Sequence, residues 1–343
     1  MKLNLIFPNQ DTWVIKNENK NKKPEKTIHP LKIVRIAPEQ QNVHPIFLSS
    51  NRLTANATVD LRSKFPPPYD QGNLGSCTAN ALCAAYQFLD KTMGTPSRLF
   101  VYYNERDLIA NSDEDTNEDS GAYLSDGINC LIENGVCSEA SWPYIESRFS
   151  TKPIPTCYVE AESHKIMKSY TIPNTMKAMR LVLQSGRPFV TGITIYSSFE
   201  SDSVAKTGLV PMPDIVNEFN LGGHAVLVCG YNDNIKWYQN KIVNNRLKQS
   251  TSSKQKGVWI VRNSWGVNWG AKGYFYLPYP YLLNTGLSSD QWVIDSVKIQ
   301  PLKSAHVIPI KLMQPVYGRK PSAIFSGRFL ADNLVGGGCS CGQ

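Results

Sequence analysis

Apolar residues along this chain follow two rhythms. After Cys77, the positions Ala79, Leu82, Cys83, Tyr86 and Leu89 recur three or four residues apart. That spacing lines one face of a helix, and Gly94 and Pro96 predict its end. A second helical pattern covers about 97–109, and a third, GAYLSDGINCLIENG, closes at Gly135. From 166 the texture changes. PFVTGITIY (188–196), HAVLVCGYN (224–232), GVWIVRNSW (257–265) and GYFYLPY (273–279) are β-branched and aromatic runs bounded by Gly, Pro and Asn, which predicts strands. NTMKAMRLVLQSG predicts one helix ahead of the first of them. Helices followed by strands predict an α+β fold, with a helical lobe over about 57–165 and a strand lobe over about 166–300. Residues 1–56, rich in Asn, Lys, Pro and Gln, read as an extended N-terminal arm. Residues 233–256 read as a long surface loop between two strands, and 301–343 as a C-terminal extension ending GGGCSCGQ.

Composition narrows the function classes. Of 343 residues, 41% are hydrophobic and 19% charged, which is ordinary for a globular chain and excludes collagen, coiled coil and wholesale disorder. No apolar run approaches the roughly 18 residues of a spanning helix, so no membrane span is expected. The start, MKLNLIFPNQD, is too short in its apolar part for a secretory signal, which favours an intracellular (cytoplasmic) or virus-particle location. The net charge of +8 is unevenly spread: 236–256 carries six basic residues and no acids, and DEDTNED (113–119) is acidic. Both read as solvated loop faces. DEDTNEDSGAYL also starts like a calcium loop, but Glu118 and Leu124 stand where Gly and Glu are needed. No nucleic-acid reading module accompanies the basic residues, and no zinc-type spacing is present, so neither nucleic acid nor metal is expected. Cys83, Cys130 and Cys229 fall in apolar patterns and read as small buried hydrophobes. Asn56-Ala-Thr58 is a lone sequon, and Cys339 and Cys341 read as part of a flexible tail.

Cys77 differs from the other cysteines. In QGNLGSCTANA (71–81) it stands at the start of a helix, where backbone N–H groups and the helix dipole lower a thiol's pKa. Gly72 and Gly75 would let a substrate backbone come close. A nucleophile needs a base and a partner to orient that base. Of five histidines only His224, in LGGHAVLVCGY, lies in a strand-type run, and Asn263 in RNSWG could bond its ring.

QGxxGSC, then GHAV followed by GY, then NSWGxxWGxxGY, in that order, resembles the papain-like (cathepsin-like) cysteine peptidases over about 57–300. VDLRSKFPPPYDQG resembles the opening of that family's catalytic domain, and EASWPY (139–144) the segment after its third helix. The resemblance implies a two-lobe fold, a helical lobe and a β-barrel-like lobe with a cleft between them. It implies an endopeptidase for protein or peptide substrates, working through a thioester, with no cofactor. Cys77 would be the nucleophile, His224 the base and then the acid, and Asn263 the residue that orients the ring, shielded by Trp265. Gln71 and the backbone N–H of Cys77 would form the oxyanion hole. Gly121, Trp292 and Val293 would line a substrate subsite. The arm 1–56 occupies the place of an inhibitory propeptide, which implies a zymogen. Two departures stand out: Leu74 replaces a family cysteine, removing one side of a disulfide, and Thr78 replaces an aromatic residue after the nucleophile. Other readings stay open at this point: a papain-fold aminopeptidase or acyl transferase regulated by a terminal tail such as 301–343, or a non-catalytic binding protein.

Overall fold

The computed structural model describes residues 55, 57–110, 115–243, 246–250 and 255–298, with side chains described outside 115 and 241–250. The arm (apart from 55), the C-terminal extension with Cys339 and Cys341, and Asn56 of the sequon lie outside them.

The first three α-helices among the described residues are α1 (Cys77–Leu89), α2 (Arg98–Asp107) and α3 (Leu124–Glu133). They match the three predicted helical patterns. Ser97 caps α2 by accepting the Phe100 N–H at 3.1 Å. Ser76, which precedes α1, makes no such side-chain cap, so the first N–H groups of that helix are left for other partners. Two further helices, α4 (Pro155–Ala161) and α5 (Met176–Gln184), flank strand β2 (Ile166–Thr171), while β1 (Thr58–Asp60) lies ahead of α1.

The strand half contains β3 (Phe189–Tyr196), β4 (Asn220–Lys236), β5 (Gln239–Val243), β6 (Arg246–Ser250), β7 (Lys256–Arg262), β8 (Tyr274–Pro278) and β9 (Ser288–Val297). Helices α6 (Asp202–Thr207) and α7 (Tyr279–Leu283) lie between them in sequence. The main sheet is antiparallel and runs β2-β9-β3-β4-β7-β8, with β1 also on β4. It is open: the expected barrel-like closure is not made, since no ladder joins β2 to β8 among the described residues. Residues 233–256 correct a second expectation. They continue β4, fold into the β5–β6 hairpin and enter β7, so the segment is largely strand rather than loop. The lysine-rich polarity hides this, because a two-stranded ribbon needs no buried apolar run.

Helices and strands are also less segregated than expected. Strands β2 and β9 turn one face to the helices: Ile166, Trp292 and Ile294 share a core with Leu82, Phe100 and Leu131. β4 divides its side chains between two cores, Ala225 and Leu227 toward α1, Val226 and Val228 toward α5 and β8. That alternation is the strand period, and burial on both faces explains the near-continuous apolar run.

Candidate active site

Cys77 is the first residue of α1, and its Sγ accepts the backbone N–H of Ala225 on β4 at 3.4 Å. This contact brings the residue after His224 onto the sulfur. His224 Nε2 lies 2.8 Å from Asn263 Oδ1. The Ser264 N–H donates to the same Oδ1 at 2.9 Å. An atom that accepts from a backbone N–H is the amide oxygen, so Nε2 must carry the ring proton and Nδ1 is left as the basic nitrogen. Trp265 stacks on the imidazole at 5.0 Å between centroids, and Trp269 and Phe199 brace Trp265 edge-on. All four predicted residues of this wall and its partner, Cys77, His224, Asn263 and Trp265, are buried to 5% exposure or less.

Gln71 is held at both ends of its amide. Nε2 donates to Leu74 O at 2.8 Å, and Oε1 accepts the Ser264 hydroxyl at 2.5 Å. One N–H of Nε2 remains to be directed elsewhere. The loop from Gln71 to Cys77 is held from behind by Arg98, which donates to Asp70 O at 2.9 Å and to Asn80 Oδ1 at 3.2 Å. Its other edge forms a bidentate pair with Glu139 at 2.7 and 2.9 Å, and its guanidinium lies 3.9 Å over the Tyr144 ring. Tyr144 donates its hydroxyl proton to Gln71 O at 2.8 Å, so its contact with Ser76 Oγ at 2.6 Å is donated by the serine. The EASWPY segment thus supplies two residues, Glu139 and Tyr144, that fix the loop before Cys77.

Several sequence expectations change. Gly72 has φ +57°, and a Cβ there would stand 1.9 Å from Glu146 Oε1, so the glycine serves a turn packed on Glu146 rather than a substrate approach. Gly75 donates its N–H to Asp119 at 2.9 Å, and Asp119 also takes the Tyr102 hydroxyl. Asp119 therefore leaves the solvated acidic run to which its sequence neighbours assign it. Gly121 has φ +72° and its N–H reaches Tyr102 Oη at 3.2 Å. Trp292 and Val293 cannot form one floor: neighbours on β9, they enter different cores, Trp292 with Cys77 and Val293 with Trp265.

Electrostatics depart most. The helix start predicts a lowered thiol pKa, yet burial pushes Cys77 up to about 11, against the opposing Ala225 N–H and with the charge of Glu105 adding to the rise. Glu105, on α2, is fully buried, and its Oε1 accepts the Thr78 hydroxyl. Thr78 stands where the resembled family carries an aromatic residue, and a carboxyl occupies the space behind it. Among the described residues no group of three His, Cys, Asp or Glu could hold a metal ion, and no helix is long and apolar enough to cross a membrane.

Known proteins share the sequence and the fold of this chain. Residues 55–289 match the family model described as papain family cysteine protease. The chain is 39% identical over 241 residues to an uncharacterized peptidase C1-like protein of Acanthamoeba polyphaga mimivirus, covering 66% of this chain and 69% of that one. It is 28% identical over 222 residues to procathepsin L of Felis catus, covering 64% of this chain and 59% of that one, less than two thirds of its length. Among solved structures, xylellain, a cysteine protease from Xylella fastidiosa, superposes with a TM-score of 0.60 at 33% identity, covering 82% of this chain and all of that one. With the family model spanning α1, β4 and the turn that carries Asn263, this chain belongs to the papain family of cysteine proteases.

Proposed function

We propose that the protein is a cysteine endopeptidase that cleaves peptide bonds through a thioester, using Cys77, His224 and Asn263. The observation that carries this is the convergence of three segments: Cys77 Sγ on the Ala225 N–H, and His224 Nε2 on Asn263 Oδ1. Burial pushes the Cys77 thiol up, so the sulfur needs a base beside it. His224 Nδ1 takes the Sγ proton as sulfur attacks the substrate carbonyl carbon. The negative charge moves to the carbonyl oxygen, where the remaining Gln71 Nε2–H and the Cys77 N–H stabilise it, each donor contributing about 3 kcal/mol. The imidazolium then returns the proton to the departing amine, leaving an acyl-thioester that water hydrolyses with His224 again as base. The Trp265 face covers the histidine–asparagine bond and keeps water from competing for it.

Residues 1–56 act in this reading as an inhibitory N-terminal segment. The experiment is intact mass after treatment with a peptidyl thiol-directed inhibitor, on the full chain, on a chain lacking residues 1–55, and on Cys77→Ala of each. One adduct on the short chain, absent from its Cys77→Ala counterpart, supports the nucleophile. Resistance of the full chain alone supports inhibition by the arm; equal labelling removes it. No Cys77 adduct in either chain would overturn the catalytic reading.

A further inference from the structure

Behind the nucleophile, the first turn of α1 meets a second acidic group. Glu105 Oε1 accepts the Thr78 hydroxyl at 2.5 Å, and the Ala79 N–H lies against the same carboxyl and favours its charged form. Oε2 has no hydrogen-bond partner among the described residues, although Glu105 is completely buried. A buried polar atom without a partner costs free energy and calls for an explanation. Gly127 on α3 makes the room: a Cβ there would stand 2.7 Å from Oε2 and 2.2 Å from Leu82 Cδ1. Arg106, the next residue, does not neutralise the carboxyl by pairing. Its guanidinium is spent on the carbonyls of Tyr102, Thr116, Glu118 and Phe149.

We propose that Glu105 is a positioning residue that acts through Thr78 and the first turn of α1 to set the pH at which the Cys77 thiol becomes reactive. This rests on Cys77 being the nucleophile. The carboxyl and the thiol share one helix end. The N–H groups of Cys77 and Thr78 lie against the sulfur, while the N–H of Ala79 and the Thr78 hydroxyl serve the carboxyl. Two anions compete for one positive field. A charged Glu105 therefore opposes the thiolate, and a neutral one releases it.

The titratable and charged groups around the carboxyl are few. On α1 they are Cys77 and Cys83, on α3 Asp126 and Cys130, and on its own helix Arg106. Burial pushes Glu105 up to about 8, Thr78 and Arg106 work against the rise, and Asp126 adds to it. Burial thus favours the neutral carboxyl, the form that does not oppose the thiolate.

The test is the pH dependence of iodoacetamide alkylation at Cys77 in the full chain, read by mass on the Cys77 peptide so that the other cysteines do not interfere. Glu105→Gln keeps the shape and the acceptor for Thr78 but removes the charge. Its alkylation midpoint should fall by roughly half to one pH unit, the size of shift a nearby like charge produces. Thr78→Val removes the hydroxyl donor but keeps the charge where the thiol titrates, so its midpoint should not fall. The double variant should shift no further than Glu105→Gln. A folded Glu105→Gln protein whose profile matches wild type, or moves upward, overturns the proposal and leaves Glu105 a packing residue. If Glu105→Gln does not fold, Glu105→Leu takes its place, and an unmoved midpoint overturns the proposal equally. Failure of the underlying reading looks different: Cys77 of the wild type would take no label at any pH.

Discussion

The two walls of the site are held by different physics. On the Cys77 side, buried and partly buried charged side chains tie down the loop and the start of α1. Arg98 grips Asp70 O and Asn80, Asp119 takes the Gly75 N–H, and Glu105 takes the Thr78 hydroxyl. On the histidine side, ladder register and aromatic packing do the work. The antiparallel β4–β7 ladder sets Leu227 opposite Arg262, so Asn263, one residue past β7, comes level with Val226, close to His224 on β4. Trp265 then stacks on the histidine, with Trp269, Phe199 and Phe275 packed behind it. A loop has no ladder of its own, so its carbonyls and N–H groups need side-chain partners. A strand already has them and needs only something to hold the ring. The nucleophile wall is therefore the one sensitive to charge, the histidine wall the one sensitive to volume.

Four substitutions test that contrast. Cys77→Ala should abolish peptide hydrolysis, a loss of at least about 10⁴-fold in kcat with the fold intact by circular dichroism. Gln71→Ala should lower kcat by roughly 10²–10³-fold with little change in KM, because its donor matters only once the oxyanion forms. Arg98→Met keeps length and loses charge. It leaves Glu139 without its bidentate partner and the Asp70 carbonyl without a donor, and denaturant unfolding should show a loss of about 3 kcal/mol. Trp265→Phe keeps an aromatic face on His224 but thins the stack with Trp269 and Phe199. It should cost about 1 kcal/mol in the same measurement. If Trp265→Phe proved more damaging than Arg98→Met, the assignment of charge to one wall and packing to the other would be reversed.

The ordered motifs single out Cys77, His224, Asn263, Trp265 and Gln71 as candidates, because each sits in a local pattern of glycines and aromatics that needs no distant partner to be recognised. Glu105, Asp119 and Ser264 carried no such signal. Their partners lie 27, 44 and 193 residues away: Thr78, Gly75 and Gln71. A Glu in a helix that also contains Arg and Asn reads as an exposed polar position until α1 and α3 close over it. The β5–β6 hairpin was missed for the opposite reason, its polarity masking a regular structure.

The chain by itself therefore determined the elements and the chemistry: three helices, the strong apolar strands, and a thiol, an imidazole and an amide in recognisable order. Local periodicity and turn residues suffice for that, since they act over a few positions. Only the tertiary structure decided the ionisation of the site. It left the sheet open, sent Trp292 and Val293 into separate cores, and buried Glu105 beneath the helix that Cys77 begins. Desolvation and charge proximity depend on what surrounds a group in space. For Cys77 that surrounding outweighed the helix start from which its reactivity was first read.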